Sequence, residues 1–216
     1  SNTQQLPIDS PFIKLDGEPL LVTVPMKEDI LGDKMTAFAP NTIGIPYFKK
    51  DRECNMEIIK QLYDINRLFE NVDDFGPAYE SFLKVSNVEL GYRGLEGRLS
   101  EFFEDVRQTA ICIATRGQAG SGDIQFFMSG IKRVKSFMYQ EKYQIEEAIT
   151  DASRAAYLAT CFEKGIFEIE KYPKENPKVV LDMSISEILP TKLRKLRNVI
   201  PEAYYYWAKV DELLKS

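Results

Sequence analysis

DRECNMEIIKQLYDINRLFEN, residues 51–71, is the stretch that decides the fold, because its apolar residues recur at helical spacing. The residues that set this period are Met56, Ile59, Leu62, Tyr63, Leu68 and Phe69. The pattern predicts a long amphipathic helix that begins near Asp51 and ends near Asn71.

A shorter helical pattern lies upstream, starting at Lys27 and stopped by Pro40. Its apolar positions are Ile30, Leu31, Met35 and Phe38. Before it, residues 12–16 and 20–24 are two apolar-rich runs separated by a Gly-Glu-Pro turn, which predicts a strand, a turn and a strand. Such a pair is not stable on its own.

The rest of the chain is predominantly helical in pattern, with helices expected over residues 77–87, 94–115, 124–138, 144–162 and 202–214 and a looser region at 168–190. Helices of this length with short connections are expected to pack as a bundle. The fold class is therefore α+β, with a small strand-containing segment over residues 1–75 followed by a mostly α-helical domain over residues 76–216.

Composition excludes several classes of function. The chain contains no histidine, which removes Ser-His, Cys-His and zinc-hydrolase chemistry. A net charge of -5 argues against nucleic-acid binding over the whole surface. There is no signal peptide pattern and no apolar run long enough for a bilayer, so we expect a cytoplasmic protein with no membrane partner. Cys54, Cys112 and Cys161 are expected to be buried, reduced thiols.

A glycine-rich stretch, residues 116–123, resembles a phosphate-binding loop only in its glycine content. It lacks the Lys-Ser/Thr ending of a P-loop and finishes with Gly122-Asp123, where a carboxylate would repel phosphate. The stretch therefore predicts a flexible connection between two helices.

Lys34 and Asp64 are the charged residues most worth attention in the two upstream helices. Each lies among apolar positions. Spacing alone favours ordinary ion pairs on helix surfaces, with Lys34 paired to a neighbouring acid and Asp64 paired to Lys60 four residues before it.

Both residues also lie in a pair of motifs that is similar to a known family. EDILGDKMTAF, followed after a loop by IIKQLYDINRLF, resembles the third and fourth motifs of the AbiEii/AbiGii nucleotidyltransferase toxins of type IV toxin-antitoxin and abortive-infection systems. The resemblance is close over residues 12–69 and general beyond them.

The resemblance implies a polymerase-β-like nucleotidyltransferase lobe in residues 1–75 and roles for four residues. Asp16 matches a metal-binding catalytic carboxylate on a strand, although a turn aspartate explains it nearly as well. Lys34 matches the lysine at the nucleotide phosphates, and Asp64 matches the carboxylate that completes the site or orients that lysine. Lys60 is a further nucleotide-binding candidate. Mg²⁺ with a nucleoside triphosphate needs carboxylates and a lysine and no histidine.

The chain departs from the family pattern because no Gly-Ser or Gly-Thr with an Asp-x-Asp pair precedes Asp16, and only fifteen residues do. Gln61 also stands where the family often has an acid. We therefore expect a truncated or degenerate member that is inactive alone. The implied function is Mg²⁺-dependent transfer of a nucleotide to an RNA (tRNA) or protein acceptor in phage defence, restrained by a cognate antitoxin. The alternative is a non-catalytic helical interaction module.

Two basic and aromatic stretches leave RNA contact open. Residues 192–197 precede a Tyr-Tyr-Tyr-Trp run at 204–207, and residues 132–135 precede several aromatic residues. Solvated basic helix faces beside a packed aromatic cluster explain both stretches at least as well.

Overall fold

The computed structural model describes residues 3–8, 18–136 and 143–216. Within them the fold is α+β, as the sequence predicts, with two small antiparallel sheets and eight α-helices. The elements in chain order are β1 Thr3–Pro7, β2 Leu21–Pro25, α1 Lys27–Ala37, β3 Phe48–Lys49, β4 Arg52–Glu53, α2 Asn55–Asn71, α3 Gly76–Tyr92, α4 Leu99–Ala114, α5 Ile124–Lys135, α6 Ile145–Glu163, α7 Leu196–Val199 and α8 Pro201–Lys215.

The first sheet pairs β1 with β2, and Gln5 lies opposite Thr23. The predicted strand at 20–24 is confirmed to within one residue, while the other predicted strand, 12–16, lies outside the described residues. Leu6 and Leu21 are 42% and 59% exposed on this pair of strands. The sheet therefore leaves apolar surface uncovered within the described part of the chain.

The second sheet corrects the predicted start of the long helix. Residues 48–53 form the short hairpin β3–β4, in which Lys50 has a positive φ of 54°, so α2 begins at Asn55 and not near Asp51. The end of α2 at Asn71 is as predicted. Polar residues at 49–53 suit an exposed tight turn better than a first helical turn.

The bundle helices form where the helical spacing predicts them, with boundaries that differ by a few residues. They share one apolar core with α1 and α2, whose largest fully buried side chains include Phe38, Phe69, Phe82, Phe162 and Trp207. All three cysteines are buried and free, as expected. Among the described helices, none is both long enough and apolar enough to cross a bilayer.

Candidate functional site

Lys34 and Asp64 form an ion pair between two helices. Lys34 Nζ on α1 lies 2.9 Å from Asp64 Oδ2 on α2, and each side chain is 25% exposed. Within the described residues Asp64 pairs across the helices and makes no ion pair with Lys60, which is exposed one turn earlier on α2. The intrahelical Lys60–Asp64 pair that spacing favours is therefore wrong.

The helix that carries Lys34 is held close to α3 by a glycine. A Cβ atom on Gly32 would lie 2.4 Å from the Ala78 carbonyl oxygen and 2.6 Å from the Phe82 backbone nitrogen. Only a residue without a side chain permits this approach of two helix backbones. Gly32 therefore fixes how far Lys34, two residues later, lies from the bundle.

The connection between α1 and α2 is fixed by the buried carboxylate of Asp105 on α4. Asp105 accepts hydrogen bonds from the Asn41 backbone nitrogen at 2.8 Å, from Asn41 Nδ2 at 2.7 Å and from Thr42 Oγ1 at 2.9 Å. Arg93 adds bonds to the carbonyl oxygens of Thr42, at 2.8 Å, and Gly44, at 3.1 Å. Bonds to charged groups are among the stronger ones, so the two helices that carry the Lys34–Asp64 pair meet in one arrangement.

A polar stripe continues from the ion pair along the outer side of α2. Lys60 and Arg67 lie four residues before and three residues after Asp64, positions that are neighbours on a helix surface. The Arg67 guanidinium lies 5.1 Å from the centre of the Tyr63 ring, and its Nε donates to the Tyr63 hydroxyl at 3.0 Å. The stripe thus leads from α1 across α2 towards α6.

A cleft of about 490 Å³ opens at the far end of this stripe, between α2 and α6. We call it the α2–α6 cleft; it is lined by Tyr63, Asn66, Arg67, Glu70, Tyr143, Glu147, Thr150, Asp151, Arg154 and Glu202. Its volume lies within the range of small-molecule sites.

Arg154 lies in the floor of the cleft with its side chain 5% exposed. It donates to Asn66, to Glu70 at 3.1 Å and to Glu202. Its Nε is buried without a hydrogen-bond partner in the described structure. A buried arginine with several acceptors joins α2, α6 and the start of α8.

Asp151, one turn before Arg154 on α6, is buried and accepts a hydrogen bond from the Tyr143 hydroxyl at 2.8 Å. Burial raises the pKa of Asp151 to about 8, although the Tyr143 hydrogen bond and the charge of Arg154 act in the opposite direction. The carboxyl is therefore protonated near neutral pH, and it offers both a donor and an acceptor.

The predicted site residues are distributed as follows. Lys34 and Asp64 come together, and Lys60 lies one helical turn from Asp64. Asp16, the predicted metal ligand, lies outside the described residues. In the ranges that the structure describes, no group of three or more His, Cys, Asp or Glu side chains is arranged to hold a metal ion.

Asp151 and Arg154 are residues that sequence reasoning missed. They lie in residues 145–163, a stretch rich in alanine whose apolar pattern hides the two charges. Asp151 and Arg154 are three residues apart and therefore lie on one face of the helix, and this spacing is the sequence feature that could have indicated a shared site. Charged side chains on the apolar face of a helix need partners, and here Tyr143, Asn66, Glu70 and Glu202 supply them.

Residues 116–123 connect α4 to α5, as predicted. The Ser121 backbone nitrogen donates to the Gln108 carbonyl at 3.0 Å, and a Cβ on Gly120 would lie 2.4 Å from that same oxygen, so the loop lies against α4. Asp123 Oδ1 accepts from the Gln125 backbone nitrogen at 2.8 Å and caps α5. The carboxylate occupies the position that a phosphate would need.

The basic stretches have mixed positions. Arg194 donates to the Ile185 carbonyl at 3.0 Å, Arg197 donates to the Tyr204 hydroxyl at 2.5 Å, and Arg133 donates to Asn55 Oδ1 at 2.8 Å. These arginines connect elements of the bundle, while Lys192 and Lys195 are exposed.

Comparisons of the chain with protein-family models, with curated proteins and with solved structures found no match. The features of the chain that bear on function are therefore the Lys34–Asp64 pair and the motifs that contain it.

Proposed function

We propose that this chain supplies the phosphate-binding part of a nucleotidyltransferase active site. The whole enzyme would be a Mg²⁺-dependent toxin of a toxin-antitoxin or abortive phage infection system, moving a nucleotide from a nucleoside triphosphate to an RNA or protein acceptor. A cognate antitoxin would restrain it. Asp16 would bind the metal ion, and Lys34 and Lys60 would bind the phosphates of the nucleotide.

One observation carries this proposal: Lys34 and Asp64, which lie thirty residues apart and in two separate motifs, meet at 2.9 Å with both side chains partly exposed. A lysine that only stabilised the bundle would gain little, because partly exposed ion pairs contribute about 1 kcal/mol or less. A lysine held in place by a carboxylate and open to solvent is instead suited to bind a polyphosphate.

Asp64 has a positioning role in this proposal. Its carboxylate holds the Lys34 ammonium in one place at 2.9 Å, from which the ammonium can move to a phosphate oxygen. Nucleotidyl transfer depends mainly on placing the phosphates and neutralising their charge, so these two residues contribute through binding and orientation.

Titration calorimetry of the chain with inorganic tripolyphosphate and with ATP tests the proposal. We expect Lys34→Ala to lower the affinity for both ligands at least about tenfold, because a charge-assisted contact contributes more than 1.4 kcal/mol. Lys84→Ala, which removes an exposed lysine of α3, is the matched control and should bind like the wild type. The fold should survive Lys34→Ala because the ion pair is partly exposed.

A second test uses radioactive triphosphates and the whole enzyme that this proposal describes. Lys34→Ala should abolish labelling of the acceptor while circular dichroism stays unchanged. Wild-type labelling by this variant would remove Lys34 from the site. Equal binding of tripolyphosphate by the wild type and by Lys34→Ala, or no binding by either, would favour the non-catalytic interaction module.

A further inference from the structure

The α2–α6 cleft has a charge that does not suit phosphate groups. Two arginines, Arg67 and Arg154, face three glutamates, Glu70, Glu147 and Glu202. The Asp151 carboxyl is neutral near pH 7 because burial raises its pKa to about 8. The lining therefore carries about one net negative charge, which favours an uncharged polar group over a phosphate.

The rim of the cleft carries a guanidinium beside an aromatic ring, and we call this pair the Arg67 platform. The Arg67 guanidinium lies over the Tyr63 ring at 5.1 Å, and the Arg67 side chain is 42% exposed. Tyr63 in turn meets Tyr143 edge to face, with ring centres 5.5 Å apart and planes at 86°. A partly exposed guanidinium is a group on which planar, uncharged rings stack.

The floor of the cleft offers hydrogen bonds to match the edge of such a ring. One oxygen of the buried Asp151 carboxyl accepts from the Tyr143 hydroxyl at 2.8 Å. A protonated carboxyl presents a donor beside an acceptor, the combination that the edges of nucleobases pair with. Arg154 adds a buried Nε that has no hydrogen-bond partner in the described structure.

The cleft is also close to the Lys34–Asp64 pair. Arg67, on its rim, follows Asp64 by three residues, so the two side chains are neighbours on the surface of α2, about 5–6 Å apart at their Cβ atoms. A nucleotide whose phosphates lie at Lys34 can therefore extend its uncharged end towards the cleft.

We propose that the α2–α6 cleft binds the nucleobase of the nucleotide whose phosphates contact Lys34. The assignment rests on the proposed function for the phosphate position only. It adds a base-binding subsite made of the Arg67 platform and the Asp151 floor, which would decide which nucleotide the chain prefers.

Saturation-transfer NMR with adenosine, guanosine, cytidine and uridine tests this subsite, because nucleosides carry no phosphate. We expect at least one nucleoside to bind the wild-type chain. Arg67→Ala should lower the affinity for that nucleoside about tenfold because stacking is lost. Thr150→Trp, which fills the cleft, should abolish binding. Arg98→Ala is the matched control, since Arg98 has an i,i+3 glutamate partner and similar exposure, 52% against 42% for Arg67. Arg98→Ala should bind like the wild type.

Tripolyphosphate titrations separate this proposal from the proposed function. Unchanged tripolyphosphate affinity in Thr150→Trp, together with lost nucleoside binding, supports two adjoining subsites. The base-binding subsite is overturned if the nucleosides fail to bind the wild type or if they bind Thr150→Trp equally well. It is also overturned if argininamide, tested as a cationic ligand, binds the cleft and the nucleosides do not. If nucleosides bind as expected and tripolyphosphate does not bind at all, the subsite is supported and the phosphate role of Lys34 is overturned.

Discussion

Replacing Asp151 with asparagine should change how the stability of the protein depends on pH. The unfolded chain releases the Asp151 proton near the ordinary pKa of 3.8, whereas burial raises the pKa of the folded carboxyl to about 8. Between these values the folded state holds the extra proton, so the free energy of unfolding falls as pH rises. Asparagine is neutral and of the same shape, so Asp151→Asn removes this term.

The size of the effect follows from the width of the window. Each pH unit contributes about 1.4 kcal/mol where the slope is steepest, so the stability of Asp151→Asn relative to the wild type should rise by about 4 kcal/mol between about pH 5 and about pH 8. Because the Asp151 side chain is 3% exposed, solvent screening takes little from this figure. Urea unfolding followed by circular dichroism at several pH values measures it.

Asp211 provides a control of opposite sign. It is also buried, but hydrogen bonds from Lys215 and Ser186 outweigh burial and lower its pKa. Its stabilisation is complete above the ordinary pKa and is lost only as pH falls below it, so Asp211→Asn should stay parallel to the wild type over the same range. Parallel curves for wild type and Asp151→Asn as well would refute the reasoning about the buried carboxyl.

Two further substitutions test how the fold positions Lys34. Asp105→Ala should lower the free energy of unfolding by about 3 kcal/mol, because it leaves the donors of Asn41 and Thr42 without their charged acceptor; urea denaturation measures this, and a loss below about 1 kcal/mol would contradict it. Gly32→Ala should lower the free energy of unfolding by about 2 kcal/mol or more, because the added methyl group forces α1 away from α3. Gly91→Ala is the control: a Cβ atom there has no neighbour closer than 4.0 Å, so this substitution should leave the free energy of unfolding unchanged or raise it slightly.

The longer helices were predictable because their apolar residues recur at helical spacing, whereas the four-residue helix α7 was not predicted. The apolar spacing of residues 56–69 predicts α2, and its end at Asn71 is as expected. The start was misplaced because residues 51–54 have no strong period, and a turn with a positive φ at Lys50 converts them to a hairpin. The spacing of apolar residues along the chain does not predict that Phe48 pairs with Glu53 in this hairpin.

The candidate site was predictable only in part, for a physical reason. The two motifs point to Lys34 and Asp64, and the structure brings these side chains together. Spacing favoured the Lys60–Asp64 pair because i,i+4 neighbours are close in any helix, whereas the actual partner depends on how α1 packs against α2. The roles of Asp151 and Arg154 depend in the same way on contacts with α2 and α8, which are distant in sequence.

The most direct test of the Lys34–Asp64 site is an NMR titration of the isotope-labelled chain with inorganic tripolyphosphate, followed at the backbone amides. We expect the largest shifts on residues around Lys34, Lys60 and Asp64, and we expect these shifts to disappear in Lys34→Ala but to persist in Lys84→Ala. Shifts centred on the exposed lysines Lys192 and Lys195, or no shifts near α1 and α2, would contradict it.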